Sequence, residues 1–438
     1  MAIQPERPAT LRLVVTLRPS LLHVCTGFVE QSARALGLGA REALALTLAA
    51  EEVFSYLAAG AAQDQDLRIE CQGGGYEVTA VFTLSRHTLD LGAFNLTSRA
   101  TSGDAEPSAG LGLLIAARMV DRLWFSQQAG EFQVAMSKEK AYPPPDAPAF
   151  PLPEAAPAVA VKSPEAAELR LLLQRLQALP PGRLPAEFST PGKVLDMAAA
   201  GVYQAAIAVD PAGNPGGGLL WRWQGDRLVE CYGPYLFGQP AAMARLLLDH
   251  LLGNLAKSRA VGLLCRYPAP DLPADYFEAL GTLSHHTPDG SVTEMLAYYR
   301  SLIEDAGAIA WCHPDLRPFL TSAYRRLAFA RDVAPVDAAG EAIDPHSVLS
   351  AAFNRPAGEV TLRPLWLGAD AAANLREHVR VLRQEGVNDL FFELDLGRAW
   401  QGHFAPALLA TGFRPRVILP HAGHGDLLVF QYGDEATP

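Results

Sequence analysis

Gly110-Leu111-Gly112-Leu113-Leu114-Ile115-Ala116-Ala117-Arg118-Met119-Val120-Asp121-Arg122-Leu123 decides how the N-terminal part of this chain is read. Two glycines precede an apolar run with helical spacing, so unpaired N–H groups would sit at the positive end of a helix dipole. That arrangement binds phosphate. Upstream, Glu51-Glu52-Val53-Phe54-Ser55-Tyr56 lies in a second helical pattern over Ala40 to Ala58. Glu52 and Tyr56 are four apart and share a face there. Working outward, the chain reads as a strand (Arg12 to Leu17), a helix (Leu21 to Leu36), the Glu52 helix, and strands over Leu67 to Cys71 and Tyr76 to Leu84. A polar stretch, the Gly110 helix and two more strands (Leu123 to Gln128, Glu131 to Ser137) follow. Tyr76-Glu77-Val78-Thr79-Ala80-Val81-Phe82 alternates as a half-buried strand does. An antiparallel sheet with helices on one face, an α/β sandwich, is the expected result.

These residues resemble the anti-sigma-factor kinase branch of the histidine-kinase-like ATPases, the GHKL or Bergerat fold. The resemblance implies ATP as ligand and Glu52 as the group that activates the attacking hydroxyl or water. It implies that Gly110, Leu111, Gly112 and Leu113 cradle the phosphates. The family's Mg²⁺-holding asparagine falls on Tyr56, whose phenol lacks the carbonyl oxygen that a hard cation prefers. The adenine-reading Asp-x-Gly motif has two alignments. One uses Asp90-Leu91-Gly92. The other places it at Leu84-Ser85-Arg86, with both key residues lost; a strand ending near Leu84 favours this second alignment. Thr97 to Ala109 would be the lid. On their own, a Gly-x-Gly before a helix is most often a tight turn, and a Glu-Glu pair a solvated face. Their order lifts the domain assignment more than it lifts any activity.

Composition bounds the rest. A chain of 438 residues, 49% hydrophobic, predicts two or three domains. A net charge of −11 argues against nucleic-acid or membrane partners. Five scattered cysteines without a CxxC pair fit neither a disulfide framework nor a zinc site, and no metal site is expected. No signal layout and no long apolar stretch is present, which predicts a cytoplasmic protein.

A proline- and alanine-rich segment over residues 141–165 reads as a linker between residues 1–140 and the remainder. That remainder repeats. Arg245 to Ser258 is a predicted helix before the strand Val261 to Cys265; a helix near Tyr276 to Leu280, Gly281 and a strand near Met295 to Tyr299 follow. Later, Ala372 to Glu385 precedes the strand Asp389 to Leu394, then a helix near Phe404 to Thr411, Gly412-Phe413 and the strand Asp426 to Tyr432. Gly281 and Gly412 are 131 residues apart. This order resembles the second half of the GNAT acetyltransferase fold, twice over. The predicted architecture is thus an α/β chain, a GHKL-type sandwich followed by two GNAT-like α/β units over 166–333 and 334–438.

The GNAT resemblance implies acetyl-CoA held by main-chain N–H groups of a strand–loop–helix turn. In the first unit the fitting residues are Gln239, Ala242 and Ala244, although Pro240 removes one donor. In the second, Asp370 before the helix would repel phosphate. Glu230, His285 and His286 are candidate bases without an identified partner. His285-His286 reads as part of a turn, Gly216-Gly217-Gly218 as a hairpin or strand entry, and Trp311-Cys312-His313 as strand core. The resulting expectation is a regulatory protein that binds partners with weak or no kinase activity. The family implies a sigma factor or an anti-anti-sigma (STAS) protein as partner, and a homodimer. The alternative is an acetyl-CoA-dependent N-acyltransferase regulated by its N-terminal domain.

Overall fold

The computed structural model describes residues 9–60, 65–85, 95, 109–128, 131–143, 160–179, 184–286, 290–336, 343–354 and 358–433. It forms two compact units, Met1–Ala141 with Ala339–Leu390, and Tyr142–Ala338 with Phe391–Pro438.

Unit one begins with β1 (Thr10–Thr16), α1 (Leu22–Ala35), α2 (Ala40–Gly60), β2 (Asp66–Gly73), β3 (Glu77–Ser85), α3 (Ala109–Met119), β4 (Arg122–Gln128) and β5 (Glu131–Glu139). The strands form an antiparallel sheet in the order β1-β2-β3-β5-β4. Alternate residues Leu67, Ile69, Cys71 and Val78, Ala80, Phe82, Leu84 are buried. They share one core with Val29 and Ala33 of α1 and with Leu46, Val53, Phe54 and Leu57 of α2. Each large side chain so buried contributes about 1.5–3 kcal/mol. Burial also pushes the Cys25 thiol up to about 12 and Cys71 up to about 11, so both stay protonated.

Unit two opens with β6 (Ala160–Lys162), α4 (Ala166–Leu176), α5 (Pro191–Ala199), β7 (Gln204–Val209), β8 (Pro215–Gln224), β9 (Leu228–Leu236), α6 (Ala242–Leu255), β10 (Gly262–Cys265), β11 (Glu278–His286) and β12 (Val292–Ser301). Their sheet runs β11-β12-β10-β9-β8-β7-β6. Neighbours are antiparallel except β9 and β10. The last residues of the predicted linker thus belong to an edge strand. Gly216, Gly217 and Gly218 enter β8, as expected; a Cβ at Gly218 would stand 2.7 Å from Leu172 Cδ2.

The helix predicted near Tyr276 to Leu280 is absent. A single 3₁₀ turn over Ala274–Tyr276 is followed by β11, which pairs with β12 along its length with a bulge at Gly281. Cross-strand pairing with β12 overrides the local helical spacing. His285 and His286, read as turn residues, end that strand.

The chain continues with β13 (Ala308–Cys312), α7 (Arg317–Arg326) and β14 (Arg331–Pro335), a parallel pair joined through a helix. The hairpin of β15 (Val348–Asn354) and β16 (Glu359–Trp366) and helix α8 (Ala371–Gln384) return to unit one. Next come β17 (Asp389–Asp395), α9 (Ala405–Thr411), β18 (Phe413–Leu419) and β19 (Leu427–Tyr432), with β19 between β17 and β18. The elements β15, β16, α8, β17, β18 and β19 repeat β8, β9, α6, β10, β11 and β12 at offsets of 127 to 135 residues. The order of elements recurs, with α9 where the first copy has only a 3₁₀ turn.

Gly281 lies against β18. A Cβ there would stand 2.7 Å from the Arg416 carbonyl oxygen. Leu280, Leu283 and Tyr299 share a core with Phe391, Val417 and Val429. Gly281→Ala is therefore expected to cost about 1–3 kcal/mol. Denaturant unfolding of the full chain checks this, and an unchanged midpoint would rule out the close approach.

Candidate functional site

The parallel register of β9 and β10 covers only Leu228↔Gly262, Val229↔Leu263 and Glu230↔Leu264. β10 ends one residue later, whereas β9 runs on to Leu236 and then turns into α6. Main-chain pairing ends at this point, while the Tyr232 and Tyr267 rings stay 6.3 Å apart, centroid to centroid. On one face, Val229 and Cys231 pack against Met243 and Leu247 of α6. Tyr235 is 2% exposed, and its hydroxyl is buried without a hydrogen-bond partner.

The other face carries Glu230, which is fully buried. Arg266 donates to it twice, from Nε at 2.6 Å and Nη2 at 3.1 Å. Arg222 Nη2 donates at 3.2 Å, the Tyr232 hydroxyl at 2.6 Å and Gln224 Nε2 at 2.5 Å. The Arg222 guanidinium lies beside both the Tyr203 and Tyr232 rings, 5.6 and 5.5 Å from their centroids. It also donates to Glu187, which the Tyr203 hydroxyl meets at 2.7 Å. Burial alone would raise the Glu230 carboxyl, but the charges of Arg266 and Arg222 and the hydrogen bonds outweigh it and hold it at about 2. A carboxylate this acidic cannot take a proton near neutral pH, so Glu230 is not the general base that its position suggested. Arg222 and Arg266, its partners, and Glu187, which shares Arg222, are scattered singly and have no motif. His285 stacks 6.4 Å from Tyr267 and 5.5 Å from Phe391, centroid to centroid.

The start of α6 departs from the expected cofactor loop. The helix begins at Ala242, earlier than predicted, so Ala242 and Ala244 lie in its first turn. Ala242 is exposed, but Ala244 is buried and its N–H bonds the Ala241 carbonyl at 3.1 Å. Gln239 lies across β8, and a Cβ on Gly216 would stand 2.6 Å from its Nε2. Asp271 accepts the Leu236 N–H at 3.2 Å. Of the three predicted residues, Ala242 alone combines exposure with a place at the helix start. In the second copy Asp370 is the N-cap residue of α8, and its Oδ1 accepts the Ser347 N–H at 2.6 Å. The carboxylate makes no hydrogen bond to the N–H groups of that helix start.

In unit one, Glu52 is half-buried on α2. Tyr56 is 8% exposed and belongs to the hydrophobic core. It therefore stands where packing, not a cation, decides the residue. Gly110, Leu111, Gly112 and Leu113 all fall inside α3, which begins at Ala109. Leu113 is buried in the core, as is Leu84 at the end of β3. Asp90, Gly92, Arg86 and residues 97–108 of the predicted lid lie outside the described residues. Asn95, which has no helical motif around it, is buried; its Nδ2 donates to the Ser347 carbonyl at 2.7 Å, and its Oδ1 accepts from Leu349 N and Asn374 Nδ2. Among the described residues no group of three or more His, Cys, Asp or Glu side chains could hold a metal ion. No helix among them is long and apolar enough to cross a membrane.

No family model matches the chain, and no curated protein matches it. Solved structures do. A GNAT superfamily phosphinothricin acetyltransferase from Sinorhizobium meliloti, in complex with AcCoA, is 17% identical over 32% of this chain and 87% of its own, with a TM-score of 0.27. The aminoglycoside 6'-N-acetyltransferase from Enterococcus faecium is 12% identical over 33% of this chain and 98% of its own, at 0.27. A GCN5-related N-acetyltransferase from Rhodopseudomonas palustris is 15% identical over 34% and 97%, at 0.23. Each likeness spans about a third of this chain at a low TM-score. The comparisons lend no support to the kinase-like reading.

Proposed function

We propose that this chain is a regulatory protein built on an N-acyltransferase-like core, in which residues 160–301 take an acyl-CoA between β9 and β10. The observation that carries this reading is the end of the β9–β10 pairing at Glu230 and Leu264, beyond which β9 runs on alone toward the start of α6. The exposed start of α6 at Ala242 would face the diphosphate with the positive end of the helix dipole, the Met243 and Ala244 N–H groups being bonded to the Pro240 and Ala241 carbonyls. When bound, the thioester supplies a carbonyl activated toward an amine. Glu230, locked between two arginines, leaves that amine without a base at this position, which favours binding over rapid transfer. Unit one then serves as the docking and regulatory part. Tyr56 in its core argues against Mg²⁺-dependent phosphotransfer through Glu52. A sigma factor, an anti-anti-sigma protein or a second copy of the chain remains the partner class that the sequence resemblance implies.

Calorimetric titration of acetyl-CoA into the full chain tests the reading. Micromolar binding is expected, weakened about tenfold or more in Ala242→Glu, where a carboxylate would meet the diphosphate. An absence of heat at millimolar acetyl-CoA would sink it.

A further inference from the structure

Unit one contains a cavity of about 260 Å³ that this reading does not use. Two edge strands wall it. β4 ends the sheet β1-β2-β3-β5-β4, and β15 ends its own sheet, with β16 as its pairing neighbour. Four consecutive residues of β4, Arg122–Phe125, with Asp121 just before them, and five of β15, Leu349–Phe353, line the cavity. Side chains alternate between faces along a strand, so four or five in a row reach one cavity only where it meets the strand edge-on. Main-chain groups of both edges thus border it, and these seek hydrogen-bond partners. Leu113 and Ala117, one helical turn apart on α3, close the third side.

The lining combines an apolar body with two arginines and one carboxylate. Leu113, Phe125 and Phe353 are apolar, while Arg122 and Arg363 stand against the single carboxylate of Asp121. That carboxylate is engaged elsewhere, accepting Lys138 Nζ at 3.0 Å and the Glu139 N–H at 2.7 Å. Arg122 is paired with Glu77, and Arg363 is exposed on β16. An apolar pocket with a few convergent polar groups is the usual form of a small-molecule site.

We propose that this cavity binds an amphipathic organic anion, its aromatic or alkyl body against Leu113, Phe125 and Phe353 and its head toward Arg363 and the strand-edge N–H groups. The site is separate from the β9–β10 gap, so it stands or falls independently of acyl-CoA binding.

Anilinonaphthalene sulfonate, titrated into the full chain and followed by fluorescence, is the probe. Saturable binding is expected. Ala117→Phe and Ala351→Phe each fill the cavity from a different side and should weaken binding about tenfold or more. Arg363→Gln should weaken it about threefold, an effect lost at high salt. Ala351 is half-buried on an edge strand, so its variant keeps the test informative if the helical Ala117→Phe fails to fold. Affinity unchanged in a folded Ala351→Phe protein, binding indifferent to both salt and Arg363→Gln, or no saturable binding at all overturns the proposal.

Discussion

Glu230→Leu is expected to cost about 3–5 kcal/mol of stability, among the largest effects of any single substitution in this chain. Glu230 is fully buried and accepts from Arg266, Arg222, Tyr232 and Gln224. Its removal leaves two guanidinium groups, 28% and 25% exposed, with much of their hydration gone and their shared counter-ion lost. Leucine fills the volume but returns none of the hydrogen bonds, so the loss exceeds that of an apolar exchange. Glu230→Gln keeps an acceptor and the shape, and should cost about 2–3 kcal/mol, chiefly through the lost charge. Denaturant unfolding of the two variants separates shape from charge. Equal losses, or a loss below about 1 kcal/mol in Glu230→Gln, would mean that water already satisfies the arginines.

The same group sets a pH dependence. Its ordinary value is 4.5, and the fold holds it at about 2, so between these values the unfolded chain binds more protons. Stability from this source, about 3 kcal/mol, is complete above the ordinary value and is lost as pH falls toward 2. Unfolding curves of Glu230→Gln should therefore converge on those of the unmodified chain in acid. A gap that stays constant down to the acid limit would contradict the ionised state assigned here.

Arg331→Met is expected to cost a similar amount, about 3–5 kcal/mol. The Arg331 side chain is 1% exposed and holds two carboxylates at once. Nη1 meets both oxygens of Asp305 at 2.8 Å, and Nε meets Asp426 at 2.8 Å. The Phe329 and Tyr324 rings lie 5.1 and 5.9 Å from its central carbon. The guanidinium thereby joins the start of β14 to the segment after β12 and to the entry of β19. Methionine would leave the carboxylates of Asp305 and Asp426 without the cation they share, Asp426 being 3% exposed. Arg331→Lys keeps the charge but cannot fork to both carboxylates, and should cost about 1–2 kcal/mol. Burial tends to raise the Asp305 carboxyl, but the Gly307 N–H and Arg331 hold it below the usual range. Its share of stability is therefore present at neutral pH and lost as pH falls below that range. Protonation relieves the repulsion in Arg331→Met, so the deficit should shrink from pH 7 toward pH 4. A deficit that grows in acid would contradict the pairing.

Much of the local structure was legible in the sequence because apolar spacing alone specified it. Leu67, Ile69 and Cys71 alternate and form a strand face; Ala40 to Ala58 carries a helical stripe and forms α2. The repeat of helix, strand and Gly-Phe turn was readable from Gly281 and Gly412, and the elements around them recur at near-constant offsets. Where local spacing misled, pairing partners were the reason. Tyr276 to Leu280 has helical spacing, yet Glu278–His286 finds β12 and becomes β11.

The candidate site was legible only in part. Glu230 was visible as an acidic residue on a strand, but nothing local marked Arg222 and Arg266 as its partners, since they come from β8 and the residue after β10. Whether a carboxylate is a base or a buried counter-ion depends on those neighbours. In the same way Tyr56 was readable as a poor ligand for Mg²⁺, but only burial in the shared hydrophobic cluster of unit one makes it a core residue. The sequence by itself determined most of the elements and the repeat, because hydrophobic periodicity is local. The tertiary structure decided the ionisation of Glu230, the early start of α6 and the cavity between β4 and β15, because each depends on groups that only folding brings within a few ångströms.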